Sequence, residues 1–217
     1  VFSYAQGKEV MSVIADVCKR QSAQLHIVRQ PESIPADDQM PDFQKRNFHL
    51  ASQVFDYICD RDKEEAVKGY DAAKVQNTYI PARMETITVN GKTLILDGAH
   101  NAHKLMALFE SIRAKYGDKP VAVLFGVAKT SGIRTESSVE MVARYSKFIV
   151  VTSFYGEQDV PKESEDPLVV SRELDRLKFN NYQIIRNPEE AFELLKKRPE
   201  DILVVAGSFY LLNHIRP

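Results

Sequence analysis

Cysteine is scarce in these 217 residues, charge of one sign does not dominate, and no long apolar run occurs. The two cysteines, Cys18 and Cys59, sit inside amphipathic patterns without metal or redox spacing. A disulfide scaffold is thereby excluded, and reduced core thiols in a cytoplasmic protein are expected. A net charge of -1 leaves no electrostatic footprint for nucleic acid, and no segment is long and apolar enough to span a bilayer. Neither partner is expected. The start, VFSYAQGKEVMSV, has no basic region followed by an apolar run, so no secretory signal is visible. It also lacks an initiator Met, which gives the expectation of a fragment. No serine sits in G-x-S-x-G, so a nucleophile elbow is absent too.

What is present is alternation. Apolar residues recur at helical spacing from Lys8 to Gln21, and LHIVR follows as a short strand. QPESIPADDQMPDF reads as loop, Phe43 to Ile58 as a second helix, and Lys63 to Ala73 as a shorter one. KVQNTYIPARM is an extended connector, and the domain boundary is placed within it, giving 1–78 and 79–217. Beyond it, METITVN and KTLILD form a hairpin around Asn90-Gly91. Helices over His103 to Tyr116, Ser137 to Tyr145, Leu168 to Leu177 and Pro188 to Lys197 then alternate with strands in VAVLFGV, KFIVVTSF, YQIIR and DILVVAG, before a short helix from Ser208. This pattern predicts an α/β fold, a Rossmann-like and mostly parallel sheet with helices on both faces.

Ligands of such sheets sit outside the carboxyl ends of the strands. The residues there are Asp97-Gly98-Ala99-His100-Asn101, Gly126-Val127-Ala128-Lys129, Thr152-Ser153 and Gly207-Ser208-Phe209-Tyr210. At the first end, Gly98 and Ala99 allow close backbone approach, and the helix that follows opens with amides that favour an anion. Asp97 and Asn101 are also the residue types that cap helices. Capping does not explain His100 in addition. His100 and His103 form H-x-x-H, but no Cys, Glu or further His lies near, so no metal site is expected. Ser208 either caps the last helix or clasps a carboxylate. Lys129 and Arg83 either meet an anionic ligand or remain solvated, and Gln44 and Asn47 either face an adenine edge or are ordinary first-turn residues.

PARME, LDGAHNAH, VLFGVAK and VVAGSFYLLN, in this order and spacing, resemble the carboxy-terminal half of the folylpolyglutamate synthase and dihydrofolate synthase family, within the Mur ligase superfamily. The resemblance covers residues 79–217, and SYAQGKEVMSVIADVCKRQSAQL with FQKRNFHLA looks like the end of that family's central ATPase domain. It implies an ATP-dependent, ADP-forming ligase that adds L-glutamate to the γ-carboxylate of a folate through an acyl phosphate. Dihydrofolate synthase activity is a further expectation, and ligation with another carboxylate and amine, or non-catalytic nucleotide or amino-acid binding, are the alternatives. By position, the resemblance implies ATP binding at Gln44, Asn47, Arg83 and Asp97, catalytic roles for Asp97 and His100, and glutamate binding at His100, Ser208 and Tyr210.

Three departures from the family pattern shape these expectations. No G-x-x-x-x-G-K-[ST] is present, so this chain alone is expected to be inactive, with Mg2+ held mainly by residues outside it. Only a short loop stands between His26 and Phe43, where the family carries more strands, and TSGIRT replaces charged residues after GVAK. The expected partners are the small molecules folate, L-glutamate and ATP, and the expected state is a monomer. Replacing Asp97 or His100 is expected to lower turnover and leave the fold intact.

Overall fold

The protein, described from a computed structural model, is defined over residues 1–29, 40–63, 80–129, 132–156 and 161–216. It forms two compact units, Val1–Tyr79 and Ile80–Pro217. In the first, β1 (Phe2–Tyr4), α1 (Lys8–Arg20), β2 (His26–Val28) and α2 (Asp42–Asp62) follow in order, with β1 and β2 parallel. Phe2 stacks on His26 at 4.5 Å and meets Tyr57 edge-on at 5.2 Å, which ties α2 to the strand pair. Cys18 and Cys59 are buried and unpaired, as their place in the two helical patterns predicted. Most of the helix expected at Lys63 to Ala73 and most of the loop before Phe43 lie outside the described residues.

The second unit carries β3 (Glu85–Val89), β4 (Lys92–Leu96), α3 (Ala102–Tyr116), β5 (Val121–Phe125), α4 (Gly132–Tyr145) and β6 (Phe148–Val151). There follow β7 (Tyr155–Gly156), β8 (Lys162–Glu163), α5 (Pro167–Arg176), β9 (Tyr182–Ile184), α6 (Pro188–Lys197), β10 (Ile202–Ala206) and α7 (Phe209–Ile215). Asn90 and Gly91, at φ +52° and +75°, supply the left-handed pair that a two-residue hairpin requires between β3 and β4. The main sheet runs β3-β4-β10-β5-β6-β9, parallel except for β3 at its edge. The mostly parallel Rossmann-like sheet expected from the alternation is therefore the observed fold.

Its central strands β5 and β10 are uninterrupted apolar runs because both faces are covered: all five residues of each are buried. Each such Val, Leu or Ile contributes about 2 kcal/mol by leaving water. Asn101, Asp166, Asn187 and Ser208 cap α3, α5, α6 and α7, each accepting a backbone N–H from the first turn. Two features differ from the sequence expectation. Helix α4 begins at Gly132 rather than near Ser137, because Thr135 and Ser138 are buried by packing and break the apolar period. The short strands β1, β7 and β8 carry no alternation to read, and pairing alone defines them.

Candidate active site

The order of the sheet makes neighbours of the two richest strand ends. Strand β10 inserts between β4 and β5, so the residues after Leu96, Ala206 and Phe125 converge at one edge. Asp97 N–H donates to the Val205 carbonyl at 3.0 Å, and Gly207 N–H donates to the Ala99 carbonyl at 2.8 Å. Gly207 has φ +113°, and a Cβ there would lie 2.3 Å from the Gly126 carbonyl oxygen. Glycine is thus required twice over, by conformation and by space.

Gly98 is required by space alone: a Cβ would lie 2.3 Å from the Phe209 ring. That ring lies against the backbone of the DGAHN turn, and the Arg83 guanidinium stacks above it at 4.8 Å from its centroid. Arg83, half-buried, thereby reaches the same edge as residues from both strand ends.

Asp97 is buried, and its carboxylate is engaged by the backbone. Oδ2 accepts the Met84 N–H at 2.8 Å, and Oδ1 accepts the Ala99 N–H at 2.8 Å. Burial raises its pKa; those two hydrogen bonds and the charges of Arg83 and Lys104 oppose the rise without cancelling it. Asp97 does not cap α3, a task that Asn101 performs by accepting the Lys104 N–H at 3.0 Å. The carboxylate instead ties the turn before β3 to the turn after β4, a share in the fold that its sequence position alone did not assign.

The turn it holds is strained. Ala82 and Met84 take φ +58° and +51° on either side of Arg83, each costing about 1 kcal/mol or more for a residue with a Cβ. A second buried carboxylate, Glu85, accepts the Ala82 N–H at 2.9 Å, and Arg216 pairs with it at 2.7 Å.

His100 is exposed, and its Nδ1–H donates to the Gly98 carbonyl at 2.8 Å. In the neutral ring this fixes Nε2 as the acceptor, and Lys104 Nζ lies 3.3 Å from it. The pair places one imidazole nitrogen just before α3 and one ammonium on its first turn. His103 is exposed on the same turn.

The second strand end is arranged differently. Ser208 is buried, and its hydroxyl accepts the Tyr210 N–H at 3.1 Å, which realises its capping role. The Tyr210 ring lies against Gly156 and stacks on Phe154 at 6.2 Å. Lys129 is exposed, and its N–H donates to the Glu163 carbonyl at 3.0 Å. Thr152 and Ser153 turn their hydroxyls onto the Arg186 carbonyl at 3.2 and 2.7 Å, so strand-end position there serves the backbone.

The structure thus brings together Arg83, Asp97, His100 and Ser208. Gln44 and Asn47 belong to the first unit, in the opening turns of α2. Among the described residues, no three of His, Cys, Asp and Glu converge to hold a metal ion. Lys104, Glu85 and Arg216 were not singled out by sequence, and Lys104 was legible only as a first-turn residue close in sequence to His100. The Glu85–Arg216 pair, 131 positions apart, has no local signal.

The profile of the Mur ligase glutamate ligase domain matches residues 82–209. Over 135 residues the chain is 30% identical to the UDP-N-acetylmuramoyl-L-alanyl-D-glutamate–L-lysine ligase of Enterococcus faecalis, covering 61% of this chain and 24% of that protein. Over 190 residues it is 22% identical to the dihydrofolate synthetase of Saccharomyces cerevisiae, covering 80% of this chain and 43% of that one. The fold is shared with a bifunctional folylpolyglutamate synthase/dihydrofolate synthase of Yersinia pestis, complexed with AMPPNP and a manganese ion. There the TM-score is 0.70 at 18% identity, over 94% of this chain and 49% of that one. The chain spans less than half the length of these proteins. The converging strand ends and the profile that encloses both of them lead to one statement: the chain belongs to the Mur ligase family and carries its glutamate ligase domain.

Proposed function

We propose that this chain is the carboxy-terminal part of an ATP-dependent ligase that adds L-glutamate to the γ-carboxylate of a folate. ATP would supply the phosphoryl group that turns the carboxylate into an acyl phosphate, with ADP and phosphate leaving. The observation that carries the reading is the meeting of the DGAHN and GSFY turns at one sheet edge, under the Arg83 guanidinium.

In this reading Arg83 binds nucleotide phosphate, and Asp97 acts chiefly by holding the turn that presents it. His100 Nε2, with Lys104 beside it, faces the incoming amino acid, where it can orient the amino group or take a proton from it. Ser208 and Tyr210 form the glutamate side. Gln44 and Asn47 would face the adenine. Mg2+ would be held mainly by residues outside this chain, and the fused protein would act in the cytoplasm as a monomer.

The folate branch is supported by the yeast relative, whose match extends over both units, and by the Yersinia fold. A second reading has its own support: the higher identity is to a ligase whose name specifies L-lysine and a muramoyl peptide. Both are tested on the full-length protein with ATP and magnesium. It is offered glutamate with tetrahydrofolate or dihydropteroate, or L-lysine with the muramoyl dipeptide nucleotide, and products are weighed by mass spectrometry alongside ADP release. Glutamate addition to either pteridine is the expected outcome. Lysine addition transfers the chain to the second reading, and ADP release with no acceptor leaves only a binding domain.

A further inference from the structure

Arg83 is presented by a turn that its own sequence does not favour. Ala82 and Met84 both have left-handed φ, a region that residues with a bulky side chain enter only under restraint. Three hydrogen bonds supply the restraint. Ala82 N–H donates to Glu85 Oε2 at 2.9 Å, Met84 N–H donates to Asp97 Oδ2 at 2.8 Å, and Gly98 N–H donates to the Ala82 carbonyl at 3.0 Å. Glu85 is only 7% exposed, and its Oε1 is 2.7 Å from Arg216 Nη2. A buried carboxylate with a guanidinium partner is held in one orientation.

Arg216 caps the carboxyl end of α7, and Phe209 opens that helix with the ring on which Arg83 rests. One short helix therefore holds the Arg83 turn from both of its ends. Glu85 opens β3 opposite Leu96, and its carboxylate engages both the Ala82 N–H and Arg216, so the pair bears on the turn that carries Arg83.

We propose that Glu85 and Arg216 are positioning residues for Arg83, and that α7 thereby couples the GSFY strand end to Arg83. The coupling of glutamate to nucleotide rests on the ligase reading above. The positioning itself does not.

The first test needs no substrate. In the 217-residue chain the Arg83 side-chain N–H resonance is expected to be displaced by the Phe209 ring current, and Phe209→Leu should identify it by abolishing that displacement. Glu85→Gln and Arg216→Gln are each expected to remove most of it, while Arg216→Lys retains part. Arg216 is the more exposed partner, so Arg216→Gln remains informative if Glu85→Gln fails to fold. An unchanged Arg83 resonance in folded Arg216→Gln overturns the proposal.

The second test uses the full-length protein. Arg216→Gln is expected to raise KM for ATP about tenfold, the scale of one hydrogen bond to a charged group, with a smaller effect on kcat. It should add nothing to Arg83→Ala, because both act through one guanidinium. Additive losses overturn the positioning role. A silent Arg83→Ala removes the nucleotide reading instead, and leaves the resonance result standing.

Discussion

Glu200 and Asp97 are buried carboxylates at the two edges of the main sheet, and they are used in different ways. At the amino edge, Glu200 receives both Arg198 Nη2 at 2.8 Å and Nε at 3.1 Å. Arg198 also lies 3.7 Å over the Phe148 ring, and Lys92 donates to its carbonyl. The charges there satisfy one another and the cluster closes. At the carboxyl edge, Asp97 accepts two backbone N–H groups, and Arg83, His100 and Lys104 are arranged around the turns it fastens. Glu200 is committed to a guanidinium, whereas Asp97 is committed to backbone N–H groups that shape the turns carrying Arg83 and His100.

The sharpest way to break the comparison is Gly207→Ala. Its Cβ would strike the Gly126 carbonyl at a φ of +113°, so about 3 kcal/mol of stability should be lost in chemical denaturation. A loss no larger than that of a surface substitution would show that the two strand ends are not locked. His100→Ala comes next. The exposed ring should leave stability unchanged while kcat of the full-length ligase falls about a hundredfold, the lower range for a general acid–base group. Equal stability and equal kcat would remove His100 from the site.

Asp97→Ala orphans two buried amides and should cost about 2 kcal/mol in denaturation, in addition to any loss of turnover. Loss of turnover with an unchanged denaturation midpoint would return Asp97 to the catalytic and ATP-binding roles that the family resemblance implies. Ser208→Ala removes a cap worth about 1 kcal/mol and should raise KM for glutamate. A rise confined to KM for ATP would count against its placement on the glutamate side.

Acidification sharpens the comparison by sign. Burial raises the Asp97 pKa above 3.8 and outweighs its hydrogen bonds. Its contribution is thus fully present at low pH and is lost as pH rises through the folded value. Burial also pushes Glu200 up, but the Arg198 hydrogen bonds and the charges of Arg198 and Lys92 win and hold it below 4.5. That contribution is present above the unfolded value and is lost as pH falls through the folded one. Measured by urea unfolding, the gap between wild type and Glu200→Gln should close on acidification while the gap to Asp97→Asn widens. Parallel pH slopes would contradict the distinction between the edges.

Much of the fold was legible because it rests on local pattern. Continuous apolar runs marked β4, β5 and β10 as strands buried on both faces, and Asn90-Gly91 marked the hairpin. Asn101 was already a cap candidate for α3, whereas the caps Asp166 and Asn187 emerged only in the structure. The strand-end rule also gathered Asp97, His100 and Ser208 before any coordinates, since residues that follow parallel strands must share an edge.

What the sequence by itself determined, then, was the alternation of elements and the side of the sheet on which polar residues accumulate. How those residues are partnered was decided only in three dimensions. Thr152, Ser153 and Ser208 satisfy nearby backbone groups, Asp97 became a fastening, and Arg83 was seated by a ring and two carboxylates, one of them joined to an arginine 131 positions away. Side-chain periodicity is local and survives in a string of letters. Hydrogen-bond partners and left-handed turns depend on which strands become neighbours, and that is settled when β10 slides between β4 and β5.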